Sequence, residues 1–316
     1  VLKDYKVNII EQLNKKLINK EIDINELAEK VNKINALKIE NNDDLITLEK
    51  LNSEIYSSKT KIQFNRFKIL EGYLNLYQND LLIIGASTGV GKSALLLNLM
   101  EDLSNNYQCM YFNLEMAQSV LMRRLIGIFG NVPIKAIDTP ETDYQKNIVI
   151  KAKNEIANRK LFLINRKNTL QDIRVGIAQN KEKNKHTIVF IDHIGLLKVK
   201  GARSLYEQTT EIAKEIRQIS LDLDCTIICA SQLNRNSYNE DLPTLNMLKD
   251  SGEIENSARK VLLLYRNPED KKKDKDTLNP IMNIEIAKND DGMYKTIKMK
   301  YEKIKQRFDE VIEYGK

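Results

Sequence analysis

Apolar residues in the first 60 positions recur at helical spacing. Val7, Ile10, Leu13 and Leu17 form one series and Ile24, Leu27, Val31, Ile34 and Leu37 another, with charge between them. No glycine occurs before Gly72, so this stretch reads as helices without a sheet. The segment Lys20-Glu21-Ile22-Asp23-Ile24-Asn25 reads as a break and restart, with Asp23 or Asn25 as the cap. A helical pair this short buries little and should dock on the next domain or on another chain; the alternative is a solvated linker rich in Asn and Lys. From about residue 65 the pattern changes. Short apolar runs at 81–86, 109–114, 161–164, 187–192, 226–231, 261–265 and 281–287 alternate with helical candidates at 92–104, 117–129, 142–159, 169–182, 204–223 and 245–258. Strands separated by helix-length crossovers predict an α/β domain, with a mostly parallel twisted sheet covered by helices on both faces. Residues 295–301 and 307–312 have no helix between them and predict antiparallel edge strands at the C-terminus. The expected division is a helical extension over 1–62 and an α/β domain over 63–316.

Composition narrows the class. With 316 residues, 42% hydrophobic, 30% charged, 12 Gly and 5 Pro, the chain can bury a core and is not collagen-like, mucin-like or a Gly/Ser linker. No run of about 18 uncharged apolar residues exists, so no membrane span is expected. The excess of 50 Lys+Arg over 44 Asp+Glu, a net +6, permits polyanion binding without demonstrating it. Lysines 271–273 and 275 read as a solvated loop. Cys109, Cys225 and Cys229 form no C-x-x-C pair and read as core thiols of a reducing compartment. His186 and His193 flank one apolar strand without metal-ligand spacing, which makes a zinc enzyme unexpected. The opening Val1-Leu2-Lys3-Asp4 has neither an initiator Met nor a secretory layout, and the chain reads as a fragment.

The chemistry is concentrated after the first apolar run. Gly85-Ala86-Ser87-Thr88-Gly89-Val90-Gly91-Lys92-Ser93 precedes a helical stretch, which is the P-loop arrangement of strand, glycine-bearing turn and helix. Backbone N–H groups of Ser87, Thr88, Gly89, Val90 and Gly91 and of the helix start would face the phosphates of ATP or GTP. Lys92 would neutralise the β/γ oxygens, and the Ser93 hydroxyl would ligate Mg²⁺. In the strict pattern the first glycine falls on Ala86, with Gly85 one residue early. Asp192 closes the apolar run 187–191 where α/β sheets place ligands, and suits a carboxylate holding magnesium. Glu115 leaves the sheet at the same edge, placed either to polarise water or to start the next helix.

These residues resemble the ATPase domain of ring-shaped, DnaB-type replicative DNA helicases, which have a RecA-like P-loop core. Asn113-Leu114-Glu115-Met116 is similar to the family's S-L-E-M. Residues 190–197 are similar to its V-I-D-Y-L-Q-L-M, and Pro243 to Glu255 to its P-x-L-S-D-L-R-E-S-G-x-I-E. Ser231-Gln232-Leu233-Asn234-Arg235 and the run ending Tyr265-Arg266 also match. The resemblance covers roughly residues 65–312. It implies that Glu115 activates water, Asp192 holds magnesium, Gln232 senses the γ-phosphate and Arg266 contributes to the nucleotide site. It further implies two DNA-facing loops. The first carries Lys198, Lys200 and Arg203; the second runs from Asn234 to Gly252 and carries Arg235, Lys249, Asp250 and Gly252.

One departure concerns the family's K-x-R-x-G, whose lysine and arginine reach a neighbouring subunit's ATP. Here it reads Lys288-Asn289-Asp290-Asp291-Gly292, so Lys288 is kept and an acid stands at the finger position. Three readings follow: Lys288 or Lys295 makes the contact, Asp290 is turned away, or turnover is weak. The family's D-A-D is also changed, to Ser257-Ala258-Arg259, and Arg259 would restore some positive charge. Residues 1–60 resemble the linker helix region that joins subunits of the ring. The resemblance implies ATP and Mg²⁺ as cofactors, single-stranded DNA and further copies in a homo-hexamer as partners, and primase and a helicase loader through a longer protein. Such a protein would work in the cytoplasm of a bacterial cell or a phage-infected host. The competing readings are a RecA-like ATP-binding module without unwinding, such as a recombination mediator, a clock-type ATPase or a loading factor, and a small-molecule kinase.

Overall fold

The computed structural model describes residues 13, 16, 19, 23 and 26–29, and residues 60–312 apart from 166–167, 200–203, 234–241 and 249–251. The chain divides into two compact units, Val1–Ser58 and Lys59–Lys316. In the first, residues 26–29 are helical, and Asp23 caps that turn. Its Oδ1 accepts the Glu26 N–H at 2.8 Å and its carbonyl accepts the Leu27 N–H at 2.9 Å.

The second unit is built on nine strands. They are β1 (Leu81–Ala86), β2 (Gln108–Asn113), β3 (Leu161–Asn165), β4 (Thr187–Asp192), β5 (Cys225–Gln232), β6 (Lys260–Tyr265), β7 (Ile281–Asn289), β8 (Thr296–Glu302) and β9 (Arg307–Glu310). They form one sheet in the order β3-β2-β4-β5-β1-β6-β7-β8-β9, parallel from β3 to β6 and antiparallel beyond. Described helices are α1 (Lys68–Leu74), α2 (Lys92–Leu103), α3 (Gln118–Gly130), α4 (Lys135–Asp138), α5 (Asp143–Asn158), α6 (Leu170–Asn180), α7 (Leu205–Asp222), α8 (Gly252–Ser257) and α9 (Pro268–Lys273). Two expectations change. The helix expected over 245–258 is a 3-10 turn at Leu245–Leu248 followed by α8, with residues 249–251 outside the described set. The lysine run, expected as a loop, starts as α9, because Pro268 sits at the helix start and the Asn267 side chain accepts the Glu269 N–H.

Alternation sorts the strands' side chains into two cores. Leu82, Ile84, Tyr111, Phe190, Ile228, Leu262 and Leu264 pack on the face that carries α2. Leu81, Ile83, Phe112, Ile191, Cys229, Val261 and Leu263 pack against the face that carries α6 and α7. Both faces are buried, which is why β1, β2 and β4 read as unbroken runs with every residue covered. All three cysteines lie in this core as free thiols, and burial pushes each well up. Among the described residues no helix is long and apolar enough to cross a membrane.

The antiparallel edge curls back against α2. Asn98, fully buried on that helix, accepts the Phe308 N–H at 3.0 Å and Arg66 at 3.1 Å, and donates to the Gln306 carbonyl at 2.8 Å. Phe308 stacks on Tyr301 with ring centroids 4.2 Å apart, and this pair backs the turn before α2. A Cβ on Gly91, whose φ is +112°, would lie 3.3 Å from Phe308 Cζ and 3.4 Å from Tyr301 Cε1. Gly91→Ala is therefore expected to cost about 1–2 kcal/mol in urea unfolding, from backbone strain and crowding together.

His186, just before β4, shares a hydrogen bond with Thr226 Oγ1 at 2.8 Å and meets the Tyr107 ring edge-on. Burial pulls its imidazole down to about 4 from the usual 6.5. The folded state then keeps a neutral ring while the unfolded chain takes up a proton. Stability is full above pH 6.5 and falls as pH drops toward 4, by about 2 kcal/mol once partial exposure is discounted. Urea midpoints should decline through that window in the wild type, and His186→Gln should flatten the decline.

Candidate functional site

Five neighbouring strands, β2, β4, β5, β1 and β6, run parallel, so their C-terminal ends form one edge of the sheet. The sequence-predicted residues arrive on that edge in line. Glu115 follows β2, Asp192 ends β4, Gln232 ends β5, Ser87 to Gly91 follow β1 and Arg266 follows β6. Strands lie about 4.8 Å apart, so β4, with one strand between, is roughly 10 Å from β1. Gly89 and Gly91 take φ of +77° and +112°, and α2 begins at Lys92 with Ser93 next. The first N–H groups of α2 have no intrahelical acceptor and face whatever occupies the turn, which makes it an anion cradle. Gly85 does different work. Its Cβ would lie 3.0 Å from Leu263 and 3.1 Å from Leu233 and Leu248, so the displaced glycine serves packing beneath the turn.

Charge at this edge is buried and mutually dependent. Lys92 is 8% exposed; burial pulls its ammonium below the usual lysine range, and Asp192 and Glu115 pull it back up. Asp192 has no exposed surface. Its Oδ2 accepts a 2.7 Å hydrogen bond from the Tyr111 hydroxyl, while Oδ1 is buried with no hydrogen-bond partner. Burial first, and Asp192 second, push the Tyr111 phenol well above its ordinary range. Burial also lowers His193, with Lys92 as the next cause, and its Nδ1 is another buried atom without a partner. The open Asp192 oxygen and the Ser93 hydroxyl at the start of α2 are oxygen donors of the kind that a hard divalent cation takes.

Asn113 accounts for why Glu115 does not start the next helix. Its Oδ1 accepts the Met116 N–H at 3.0 Å, and its Nδ2 donates to the Met116 carbonyl at 2.6 Å and to Asn165 Oδ1 at 2.8 Å. These bonds hold a tight turn that presents Glu115 exposed, and α3 begins only at Gln118. Gln232 reaches across to the cradle, donating to Thr88 Oγ1 at 2.8 Å.

On the β6 side the cradle opens into a cleft of about 430 Å³. Tyr265, Arg266, Met282, Tyr301 and Lys303 line it, and so do Lys271 and Lys275 of the run read as a solvated loop. Those two lysines are exposed yet face the cradle's cleft. Arg266 explains why: its guanidinium donates to the Asp270 carbonyl at 3.0 Å and to the Asp274 carbonyl, which fastens α9 over the cleft. Sequence reasoning missed Tyr111 as well. The signal available was a lone hydroxyl in an apolar strand, two residues from Asn113 on the same face.

Other predicted residues lie elsewhere. Lys288 is on β7 opposite Val261, at the other end of the sheet, and donates to the Glu255 carbonyl at 2.8 Å. Asp290 lies there too, 3.8 Å from Arg259, which also pairs with Asp80 at 3.3 Å and Asp291 at 2.8 Å. Lys198 is exposed after a 3-10 turn, its N–H bonded to the Asn168 carbonyl at 2.8 Å. Gly252 opens α8. Lys200, Arg203, Arg235, Lys249 and Asp250 lie outside the described residues.

Comparison with known proteins points to one family. Residues 65–310 match the DnaB-like helicase C terminal domain. The chain is 31% identical over 208 residues to the replicative DNA helicase DnaB of Helicobacter pylori strain J99, covering 63% of this chain and 43% of that protein. It is 27% identical over 251 residues to the replicative DNA helicase DnaC of Bacillus subtilis strain 168, covering 74% and 54%. The chain thus spans about half the length of these curated relatives. Among solved structures it resembles one described as an ATPase domain, with TM-score 0.75, 24% identity, and 87% of this chain and 100% of that one covered. It also resembles a DnaB-like replicative helicase studied with primase, with TM-score 0.78, 24% identity, and coverage of 98% and 76%. The sheet, its P-loop and its helices are those of a RecA-like ATP-binding core, and the chain belongs to the family of DnaB-like helicase C-terminal domains.

Proposed function

We propose that this chain is the motor of a hexameric replicative helicase, which hydrolyses ATP at subunit interfaces to move along single-stranded DNA and unwind duplex. The observation that carries this reading is the line of Glu115, Asp192, Gln232 and the P-loop along one sheet edge, in a chain of this family. Residues 63–316 are the motor and residues 1–62 the segment that joins subunits. The backbone of Ser87 to Gly91 cradles the triphosphate, with Lys92 on its β/γ oxygens and the nucleoside toward Arg266. Asp192 and Ser93 hold Mg²⁺, which when bound neutralises charge developing on the phosphates. Glu115, exposed on its turn, orients the attacking water. Gln232, bonded to Thr88, sits where loss of the γ-phosphate would be felt and leads directly into residues 234–252. Lys198, Lys200, Arg203, Arg235, Lys249, Asp250 and Gly252 meet the sugar-phosphate strand without reading bases. Lys288, at the far end of the sheet, contacts nucleotide on a neighbouring copy. In the full protein, primase and a loader are partners, and the setting is the cytoplasm of a bacterial or phage-infected cell.

ATP turnover by the wild type should rise on addition of single-stranded DNA, and Lys92→Ala should abolish both basal and stimulated rates. Turnover indifferent to both DNA and Lys92 would end the proposal. Mass measurement with an ATP analogue and an oligonucleotide should show six copies.

A second reading, an ATP-binding module without unwinding, is favoured by Asp290. An arginine finger contributes roughly 10³–10⁵ in rate, and an acid there contributes none of it. Asp290→Arg should raise turnover of the assembled ring at least tenfold if the position faces a neighbour's nucleotide. An unchanged rate would mean that the position does not reach it.

A further inference from the structure

The hydrogen bond between Tyr111 and Asp192 stands apart from the residues assigned above. Tyr111 has no exposed surface, and its ring sits in the core beneath α2. It lies opposite Phe190 in the β2–β4 register and stacks near it, with centroids 6.4 Å apart and planes 24° from parallel. Asp192 is two residues farther along β4 on the same face, a step of roughly 6.6 Å, which a tyrosine side chain lying along the strand covers. The phenol therefore arrives at Oδ2 from a ring that cannot swing, at 2.7 Å.

An aspartate χ2 is broad and nearly two-fold, so a carboxylate at a strand end does not orient itself. A buried carboxylate left short of donors is costly, and a fold serving stability alone would partner both oxygens. Here one oxygen is engaged and the other, equally buried, has no partner. We propose that Tyr111 is a positioning residue for the divalent cation: its hydroxyl fixes the Asp192 carboxylate so that Oδ1 is presented to the metal of the bound nucleotide. This rests on the reading of Asp192 as a metal residue. Outer partners of metal ligands of this kind set affinity by holding the ligand's orientation.

The test uses the full chain and a fluorescent ATP analogue, titrated with Mg²⁺ and also measured without metal. Tyr111→Phe keeps the ring and deletes the donor. The Mg²⁺ concentration for half-saturation should rise roughly 10–100-fold, while nucleotide affinity without metal stays within about twofold. In an Asp192→Asn background the same Tyr111→Phe change should leave half-saturation unmoved. An unchanged Mg²⁺ requirement in Tyr111→Phe, or an equal shift in both backgrounds, overturns the proposal. Should Tyr111→Phe not fold, Phe190→Leu loosens the ring while keeping the hydroxyl. It should raise half-saturation several-fold, and no rise overturns the proposal. The failures are distinguishable: wild-type binding indifferent to Mg²⁺ removes the metal reading itself, whereas a Mg²⁺-dependent wild type with an unaltered Tyr111→Phe removes only the role of Tyr111.

Discussion

Everything at this site depends on burying a parallel sheet on both faces. Each strand from β1 to β5 must be followed by a crossover that returns the chain to the opposite end, so β1 to β6 all release their next residues at one edge. The apolar runs that make this necessary hold Ile83, Phe112, Ile191 and Ile227 on one side and Ile84, Tyr111, Phe190 and Ile228 on the other. Polar groups within such strands are costly. They collect at the ends, and a carboxylate, an amide and a phosphate cradle from distant parts of the sequence become neighbours without any local segment specifying it.

Burial at that edge also sets the chemistry. Lys92 and Asp192 are both covered, and the charge of Asp192 offsets part of what burial costs the Lys92 ammonium. A bound triphosphate and cation would complete this pairing. The tyrosine on Asp192 and the Gln232–Thr88 bond act before any ligand arrives. The second lies open to solvent, whereas the first holds a carboxylate that water does not reach. That is preorganisation obtained from packing, since Tyr111 is immobilised by the same core that holds β2 to β4.

Strand pattern and motif spacing made much of this legible. Unbroken apolar runs announced strands buried on both faces, and the Gly-Lys-Ser after the first of them located the cradle. The unseen parts are those fixed by tertiary contact. Gly85 looked like a displaced motif glycine, but it is small because Leu233, Leu248 and Leu263 close over it. Lysines 271 and 275 looked solvated because their own segment is polar; only the Arg266 bonds to the Asp270 and Asp274 carbonyls show that α9 is folded toward the cleft. The helix expected over 245–258 follows a good periodicity, yet Leu245–Leu248 forms a 3-10 turn that sends Leu248 into the lower core. Period 3.6 cannot distinguish a helix from a turn whose apolar residues are claimed by a neighbour.

The two departures from the family pattern at the far end of the sheet turn out to be one contact. Where the resemblance expects an acid, the chain has Arg259; where it expects a finger arginine, it has Asp290. These lie 3.8 Å apart, and the Asp290 N–H donates to the Arg259 carbonyl at 3.2 Å. The new cation is tied down more firmly than the acid, since Arg259 also holds Asp291 and the buried Asp80, and the fully buried Lys260 joins Asp80 and Asp291 at 3.4 and 3.1 Å. The positive charge of Arg259 and Lys260 is therefore consumed within the chain. Lys288 differs, because its partner is the neutral Glu255 carbonyl and no carboxylate among the described residues pairs with it. Lys288 and the exposed Lys295 are thus the cations at this end on which the contact between copies proposed above would draw.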